Sequence, residues 1–243
     1  MREAVARTMA DRMAWFWMLA EPIALVLIMV AIRTLIMGGK HIAGADFVPW
    51  LITGLFGFFL FRENMMRSLG AVEANKGLFA YRQVKAVDPV LVRCFLEGML
   101  KTFIFLLFIA AGLLLDVGLM PESPLEALFD WLSLWALGMG AGLTLSALSS
   151  LVPEMGRVVR IISLPLMIIS GVIIPLNFVP HDLQQYVLWN PIVHGLESLR
   201  QSFFAEYRSL DGISLTYLWL WTLSLTSLGL MLHLRFEMRL KAQ

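Results

Sequence analysis

Residues 70 to 88 read Gly-Ala-Val-Glu-Ala-Asn-Lys-Gly-Leu-Phe-Ala-Tyr-Arg-Gln-Val-Lys-Ala-Val-Asp, a polar and basic island between long apolar runs. What flanks the island decides the fold. Upstream, Phe47 to Phe61 is apolar for about four helical turns before Arg62, Glu63, Asn64 and Arg67 arrive, so that segment must end polar. Downstream, Thr102 to Leu115 is wholly apolar. Across its 243 residues the chain is 59% hydrophobic and 15% charged, with a mean hydropathy of +0.76, far from the composition of a soluble domain of this length. It is an integral membrane protein. A hydrocarbon core about 30 Å thick takes about 20 apolar helical residues to cross, and the sequence offers six such places.

The first span is predicted over Trp15 to Met37, interrupted by Glu21-Pro22, with Arg33 near enough to the far end to snorkel. Ahead of it, residues 1–14 carry Glu3, Arg7 and Asp11 at i, i+4 and i+8 opposite Val5, Met9 and Met13, the pattern of an interfacial helix. A signal peptide does not fit, because the small-residue cleavage site is missing and the apolar run is too long. The second span starts near Phe47. The third starts at Asp88-Pro89, an N-cap and first-turn proline, with Arg93, Glu97 and Lys101 at helical spacing before the apolar stretch. The fourth covers about Ala127 to Leu151, and its Gly138 and Gly142 allow close helix approach. The fifth, about Val158 to Leu176, holds Pro165, Gly171 and Pro175 and is predicted to kink or break near its far end. The last runs from about Leu215 to Leu234.

Lysine and arginine placement sets the orientation. Arg2, Arg7, Arg12, Arg62, Arg67, Lys76, Arg82, Lys85, Arg93, Lys101, Arg157, Arg160, Arg235, Arg239 and Lys241 fall on one side, against Lys40, Arg200 and Arg208 on the other. By the positive-inside rule both termini and the 62–101 region are cytoplasmic, and the loops at 38–46, 116–126 and 177–213 are outside. Segment 177–213 fails as a clean span: Tyr186, Trp189, Phe203, Phe204 and Tyr207 make it too apolar for a free loop, while Pro180, Asn190-Pro191 and Gly195 break it. Two short helices dipping back toward the membrane are expected, tolerable where protein or a water-filled cavity lines them.

Catalytic apparatus is not visible. No nucleophile elbow, His-Glu-x-x-His or paired-aspartate motif occurs, and Gly38-Gly39-Lys40 lacks the spacing of a phosphate-binding loop. The chain cannot itself hydrolyse ATP. His194 and Glu197 have an i, i+3 spacing used by some metal sites, but ordinary hydrogen bonding is the plainer reading, and no metal is expected. An intramembrane lipid- or sugar-modifying enzyme using His181, Asp182, His194 and Glu197 stays open as an alternative. Trp15, Trp17, Trp219 and Trp221 need be no more than belt residues. Glu21 is costly inside a span unless it faces protein or water. Cys94 is the lone cysteine and excludes an internal disulfide.

Four stretches in order carry a family resemblance: Trp17-x-x-x-Glu21-Pro22, Gly70-Ala71-x-Glu73-Ala74-Asn75-x-Gly77-Leu78-Phe79-x-Tyr81-Arg82, Pro153-Glu154-Met155, and Leu188-Trp189-Asn190-Pro191-x-Val193-His194. Together with the span count they resemble the membrane subunit of ABC exporters for capsular polysaccharide, within the wider group that includes O-antigen exporters. The resemblance implies an all-α, ABC-2-type permease with six transmembrane helices, a cytoplasmic coupling helix and outer re-entrant helices. It also implies export of a capsular polysaccharide, lipid-linked, across the bacterial inner membrane; a permease for O-antigen, another glycolipid or drugs is the alternative. By the same resemblance the chain is a homodimer with two copies of a separate ATPase, which binds ATP and Mg while this chain binds no cofactor. Membrane lipids and periplasmic and outer-membrane export proteins complete the expected partners, and nucleic acid is not among them. The N-terminus departs from the family in lacking some of the basic residues usual ahead of the interfacial helix, and the start of the chain reads as abrupt.

Site expectations follow. Residues 15–243 form one permease domain, with a coupling segment at 70–88 and an outer gate segment at 177–213. Glu73, Asn75, Phe79, Tyr81, Arg82 and Lys85 are expected to couple to the ATPase, with Asn75 to Val87 as a short helix whose aromatic and basic mix suits an interface. Glu21, Arg62 and Arg67 are expected at the cytoplasmic mouth of a path between two protomers, because six helices are few for enclosing a polymer and a twofold axis closes the pore. Anchoring the helix to headgroups is the plainer role of those arginines. Tyr186, Trp189, Asn190, Pro191 and His194 are expected at the outer gate.

Overall fold

A computed structural model describes residues 20, 22–32, 41–42, 44–81 and 83–242. The interfacial helix at 1–14, Glu21, Arg33 and Arg82 lie outside the described residues. The described chain is helical apart from a small antiparallel hairpin, β1 His41–Ile42 and β2 Ala45–Asp46, with His41 opposite Asp46.

Helix α1 covers Pro22–Ile32 within the first predicted span. Helix α2, Phe47–Ser68, is the centre of the bundle: Trp50, Leu51, Leu55, Phe56, Phe58 and Leu60 are fully buried, as expected of a helix apolar on every face. The donors of three of its buried polar side chains are satisfied by its own backbone, while the Asn64 Oδ1 acceptor is buried without a partner among the described residues. Thr53 Oγ1 donates to the Pro49 carbonyl at 2.9 Å, Asn64 Nδ2 to Leu60 at 2.7 Å and Ser68 Oγ to Asn64 at 2.6 Å, so they cost little in an apolar setting.

The coupling segment folds as α3, Ala71–Ala74, followed by a 3-10 turn over Lys76–Ala80. Helix α4, Asp88–Leu114, opens on the predicted aspartate and proline, but Val87 is its N-cap and Asp88 its first residue; the Asp88 side chain caps no helix amide, its Oδ2 accepting the preceding Lys85 amide at 2.8 Å. Helix α5 is Pro124–Leu151, and its glycines place it between two neighbours. A Cβ on Gly138 would press the α2 backbone at Phe61, one on Gly142 would meet Ser68 and Asn64, and one on Gly140 would meet the last long helix at Thr222 and Thr226. The predicted close approach is therefore real, and α2 is the partner of Gly138 and Gly142.

Helix α6, Glu154–Ile169, contains Pro165 and stops at Ser170-Gly171, where Gly171 takes a positive φ of 72°. The predicted fifth span is thus broken before Leu176, which falls in a 3-10 turn over Leu176–Phe178. Within the chain α6 buries only Val159 and Ser163. Two short helices follow, α7 His181–Val187 and α8 Pro191–Phe203, as expected for the outer segment. Helix α9, Leu215–Arg235, packs along α5, and Thr144 Oγ1 donates to the Leu225 carbonyl at 2.6 Å. The chain turns into α10, Glu237–Ala242, held by a Lys241–Glu237 ion pair at 2.7 Å.

Among the described residues, α4, α5 and α9 are long and apolar enough to cross a bilayer. Exposed apolar side chains dominate the outward faces of α4, α6 and α9, including Phe95, Leu106, Ile161, Leu164, Leu220 and Met231. Such an apolar exterior is the surface a lipid-embedded bundle presents.

Candidate functional site

The coupling segment rests on its own small core. Ala71, Val72, Ala86, Val90, Cys94, Leu143 and Leu240 are buried together, bringing the segment against α4, α5 and α10. Phe79 packs against this cluster. Tyr81 is 68% exposed, Leu78 is exposed, and Glu73 and Lys85 also face outward. Asn75 turns back, its Nδ2 donating to the Ala71 carbonyl at 2.8 Å. The expected helix over Asn75 to Val87 is found only as the 3-10 turn at 76–80, with turns beyond it. Gly77 and the approach of Asp88-Pro89 favour tight turns over a longer helix. Of the three side chains expected to enter a partner together, Tyr81 projects, Phe79 serves the protomer's own packing, and Arg82 lies outside the described residues.

At the end of α2, Arg62 and Arg67 form a network. Arg62 Nη1 meets Glu63 Oε1 at 2.9 Å, and Arg67 Nε meets Glu63 Oε2 at 3.3 Å, the predicted i, i+4 pair. Arg67 also reaches Glu97 of α4 at 3.8 Å, so Glu97 leaves the Arg93-Glu97-Lys101 row read from the sequence. Lys101 is buried, with Nζ 5.7 Å from the centre of the Phe59 ring. Arg62 Nε donates to Ser163 Oγ at 2.7 Å and so ties α2 to α6. Both guanidinium groups are partly open, Arg67 the more so, which leaves donors free for an anion.

The outer segment divides into exposed and buried parts. Tyr186 and Trp189 are exposed and meet edge to face at 5.5 Å. Asn190 caps α8: its Oδ1 accepts the Ile192 amide at 3.1 Å while its Nδ2 donates to Ser170 Oγ at 2.9 Å. Pro191 occupies the first turn, where no amide is needed. His194 is buried, its Nε2 2.8 Å from the Leu188 carbonyl and its Nδ1 accepting the Ser214 amide at 3.0 Å. Since Nδ1 accepts, Nε2 carries the proton, and the ring has no lone pair free for a metal. His181 and Asp182 line a separate surface hollow with Asn177, Gln185, Ser209 and Asp211. The four residues of the enzyme alternative therefore do not converge.

The best-defined polar constellation of this side escaped the sequence reading, which placed Arg200 as an outer loop cation. Arg200 is fully buried. Its Nη1 donates to Glu197 Oε1 and to the Gly171 carbonyl, both at 2.9 Å, and its Nη2 to the Val172 carbonyl at 3.2 Å. The guanidinium carbon lies 3.7 Å from the centre of the Trp50 ring, a cation–π contact in a desolvated setting. Tyr207 donates to the Glu197 carboxylate at 2.9 Å, and burial pushes its pKa up to about 12, so the hydroxyl stays protonated. This knot joins α2, α8, the turn after α6 and the loop at 207. A nearby anchor of similar kind is Asp130 of α5, whose Oδ1 accepts Ser198 Oγ at 2.8 Å and whose Oδ2 accepts Ser202 Oγ at 2.5 Å. The Glu197/Arg200 spacing on α8 was the only local signal for the knot.

Comparison with known proteins places these features in a family setting. Residues 1–204 match the family described as ABC-2 type transporter. The polysialic acid transport protein KpsM of Escherichia coli is 34% identical over 233 residues, covering 96% of this chain and 90% of that protein. The capsule polysaccharide export inner-membrane protein CtrC of Neisseria meningitidis serogroup A is 27% identical over 206 residues, 85% of this chain and 77% of that protein. BexB of Haemophilus influenzae, also a capsule polysaccharide export inner-membrane protein, is 25% identical over the same coverage.

Proposed function

The chain belongs to the ABC-2 type transporter family, and from that membership we propose that it is the transmembrane subunit of an ATP-driven exporter moving capsular polysaccharide, lipid-linked, out of the cytoplasm. The observation carrying this reading is identity of 34% along 96% of the chain to a polysialic acid transport protein. The match runs through both the coupling segment and the outer segment, so it covers the elements a transporter needs and not one motif alone.

In this reading the chain crosses the inner membrane six times, through the span containing α1, then α2, α4, α5, α6 and α9, with both termini cytoplasmic. Two copies pair about a twofold axis, and the path lies between the first and fifth spans of the two protomers. Glu21, Arg62 and Arg67 stand at its cytoplasmic mouth, where guanidinium groups suit the carboxylate or phosphate of an acidic chain end. Helices α7 and α8 form the lid on the far side. Two copies of a separate ATPase bind ATP and Mg and engage the coupling segment through Leu78 and Tyr81, while periplasmic and outer-membrane export proteins continue the route.

The test is complementation. In a capsulated host lacking its own export permease, expression of this chain with its cognate ATPase is expected to restore surface polysaccharide, and the chain alone is not. Polysaccharide that stays in the cytoplasm despite a membrane-inserted, ATPase-bound chain would overturn the substrate assignment.

A further inference from the structure

We propose that the hollow between the coupling segment and the start of α4 is a binding site for an anionic glycerophospholipid. The hollow measures about 390 Å³, at the small end of ligand sites, and its walls include Asn75, Leu78, Val84, Val92, Arg93 and Leu96. Arg93 is exposed at its edge. Among the described residues no acid pairs with it. Glu97, its natural partner one turn on, is drawn to Arg67 of α2 at 3.8 Å, and Asp88, the acid of the lining, already accepts the Lys85 amide at 2.8 Å. Arg93 is thus an unpaired cation among the described residues, beside mostly apolar walls whose one acid, Asp88, is turned to a backbone amide.

The hollow also continues into the bare side of α4. Val92, Leu96, Met99 and Phe103 are all exposed, and their spacing of four, three and four residues puts them on one stripe. A ligand matching both features must carry an anion at one end and run apolar along a helix at the other. Free phosphate or a nucleotide would leave Val84, Val92 and Leu96 uncovered; a zwitterionic lipid would leave Arg93 without a net countercharge. An acidic phospholipid satisfies both, its phosphate on Arg93, its acyl chain down the stripe. Basic pockets beside transmembrane helices take such headgroups. The bound lipid would wedge the coupling segment against α4. Which leaflet supplies it rests on the orientation proposed above, and that orientation makes it the cytoplasmic one.

The test is native mass spectrometry of the purified full chain in detergent, titrated with equal amounts of dioleoyl phosphatidylglycerol and dioleoyl phosphatidylcholine. The expected result is a preference of roughly fivefold for phosphatidylglycerol, the worth of one cation beside a headgroup of net negative charge. Arg93→Gln is expected to abolish the preference and Arg93→Lys to keep most of it, with both variants eluting as the parent does. Equal retention of the two lipids by the parent chain overturns the proposal, as does an Arg93→Gln variant with the parent's preference. If Arg93 instead serves the ATPase, Arg93→Gln loses ATPase co-purification and leaves the lipid ratio unchanged, which also overturns it. The orientation is tested apart: Leu78→Cys, distinguishable because Cys94 is buried, should resist a membrane-impermeant maleimide in intact spheroplasts. Labelling from outside would reverse the orientation without altering the lipid ratio.

Discussion

Arg200 shows how far one side chain can reach in an apolar bundle. Its charge is matched by Glu197, two carbonyls and the face of Trp50, and removing one partner leaves the other buried and uncompensated. Arg200→Met is therefore expected to lower stability by about 3–5 kcal/mol, whereas Arg200→Met with Glu197→Leu recovers much of the loss because no lone charge remains. Unfolding of the detergent-solubilised protein by denaturant measures both. Gly54→Ala should act at the same place, since a Cβ there collides with the guanidinium, which its other contacts prevent from moving aside. Tyr207 adds a pH dependence of definite sign. Its folded pKa of about 12 stands above the ordinary 10.0, so its contribution is complete below pH 10 and is lost as pH rises toward 12. The stability difference between the parent and Tyr207→Phe, followed by thermal unfolding from pH 8 upward, is expected to shrink across that interval.

At the scale of the elements, the coupling segment divides its labour between packing and projection. Phe79→Ala is expected to cost about 1–2 kcal/mol, the share of a half-buried ring, whereas Leu78→Ala with Tyr81→Ala should spare stability and depress ATPase stimulation in the assembled complex. Unfolding curves and nucleotide hydrolysis with the partner ATPase separate the two effects. Helix α5 allows a similar test: Gly138→Leu would force α2 away at Phe61 and is expected to destabilise by about 1–3 kcal/mol, the usual cost of overpacking. These elements were unequally legible in the sequence. Asp88-Pro89 and Asn190-Pro191 announce helix starts because a first-turn proline is local chemistry, and both starts are found, with Asn190 as a cap and Asp88 as the first helical residue. The spacing of Gly138 and Gly142 announces a close approach, but only the folded chain shows that α2 fills it while Gly140 receives α9. The burial of Arg200 was not legible because, beyond Glu197 one turn away, its partners come from residues 50, 171 and 172, which no local pattern connects. The coupling helix was read too long because its aromatic and basic composition reports an interface and carries little information on backbone conformation.

For the whole molecule, the cations at the end of α2 test the proposed path. Replacing Arg62 and Arg67 by glutamine is expected to cut surface polysaccharide severalfold at equal protein level, measured by capsule immunoassay beside quantitative blotting; export at the parent rate would leave those arginines with anchoring alone. The same residues have a mechanical meaning through α6. Arg62 holds that helix at Ser163, and Arg200 holds the turn beyond it at Gly171 and Val172. Along its length α6 buries only Val159 and Ser163, with Leu166 and Met167 half-buried between the two fastenings. A rod pinned at its middle and just beyond its far end, and largely bare toward its start, keeps one inexpensive degree of freedom, a swivel about the line joining its pins. Spin labels at Ile161 on paired protomers should accordingly report a broader distance distribution than labels on α5, and the breadth should grow when either pin is cut.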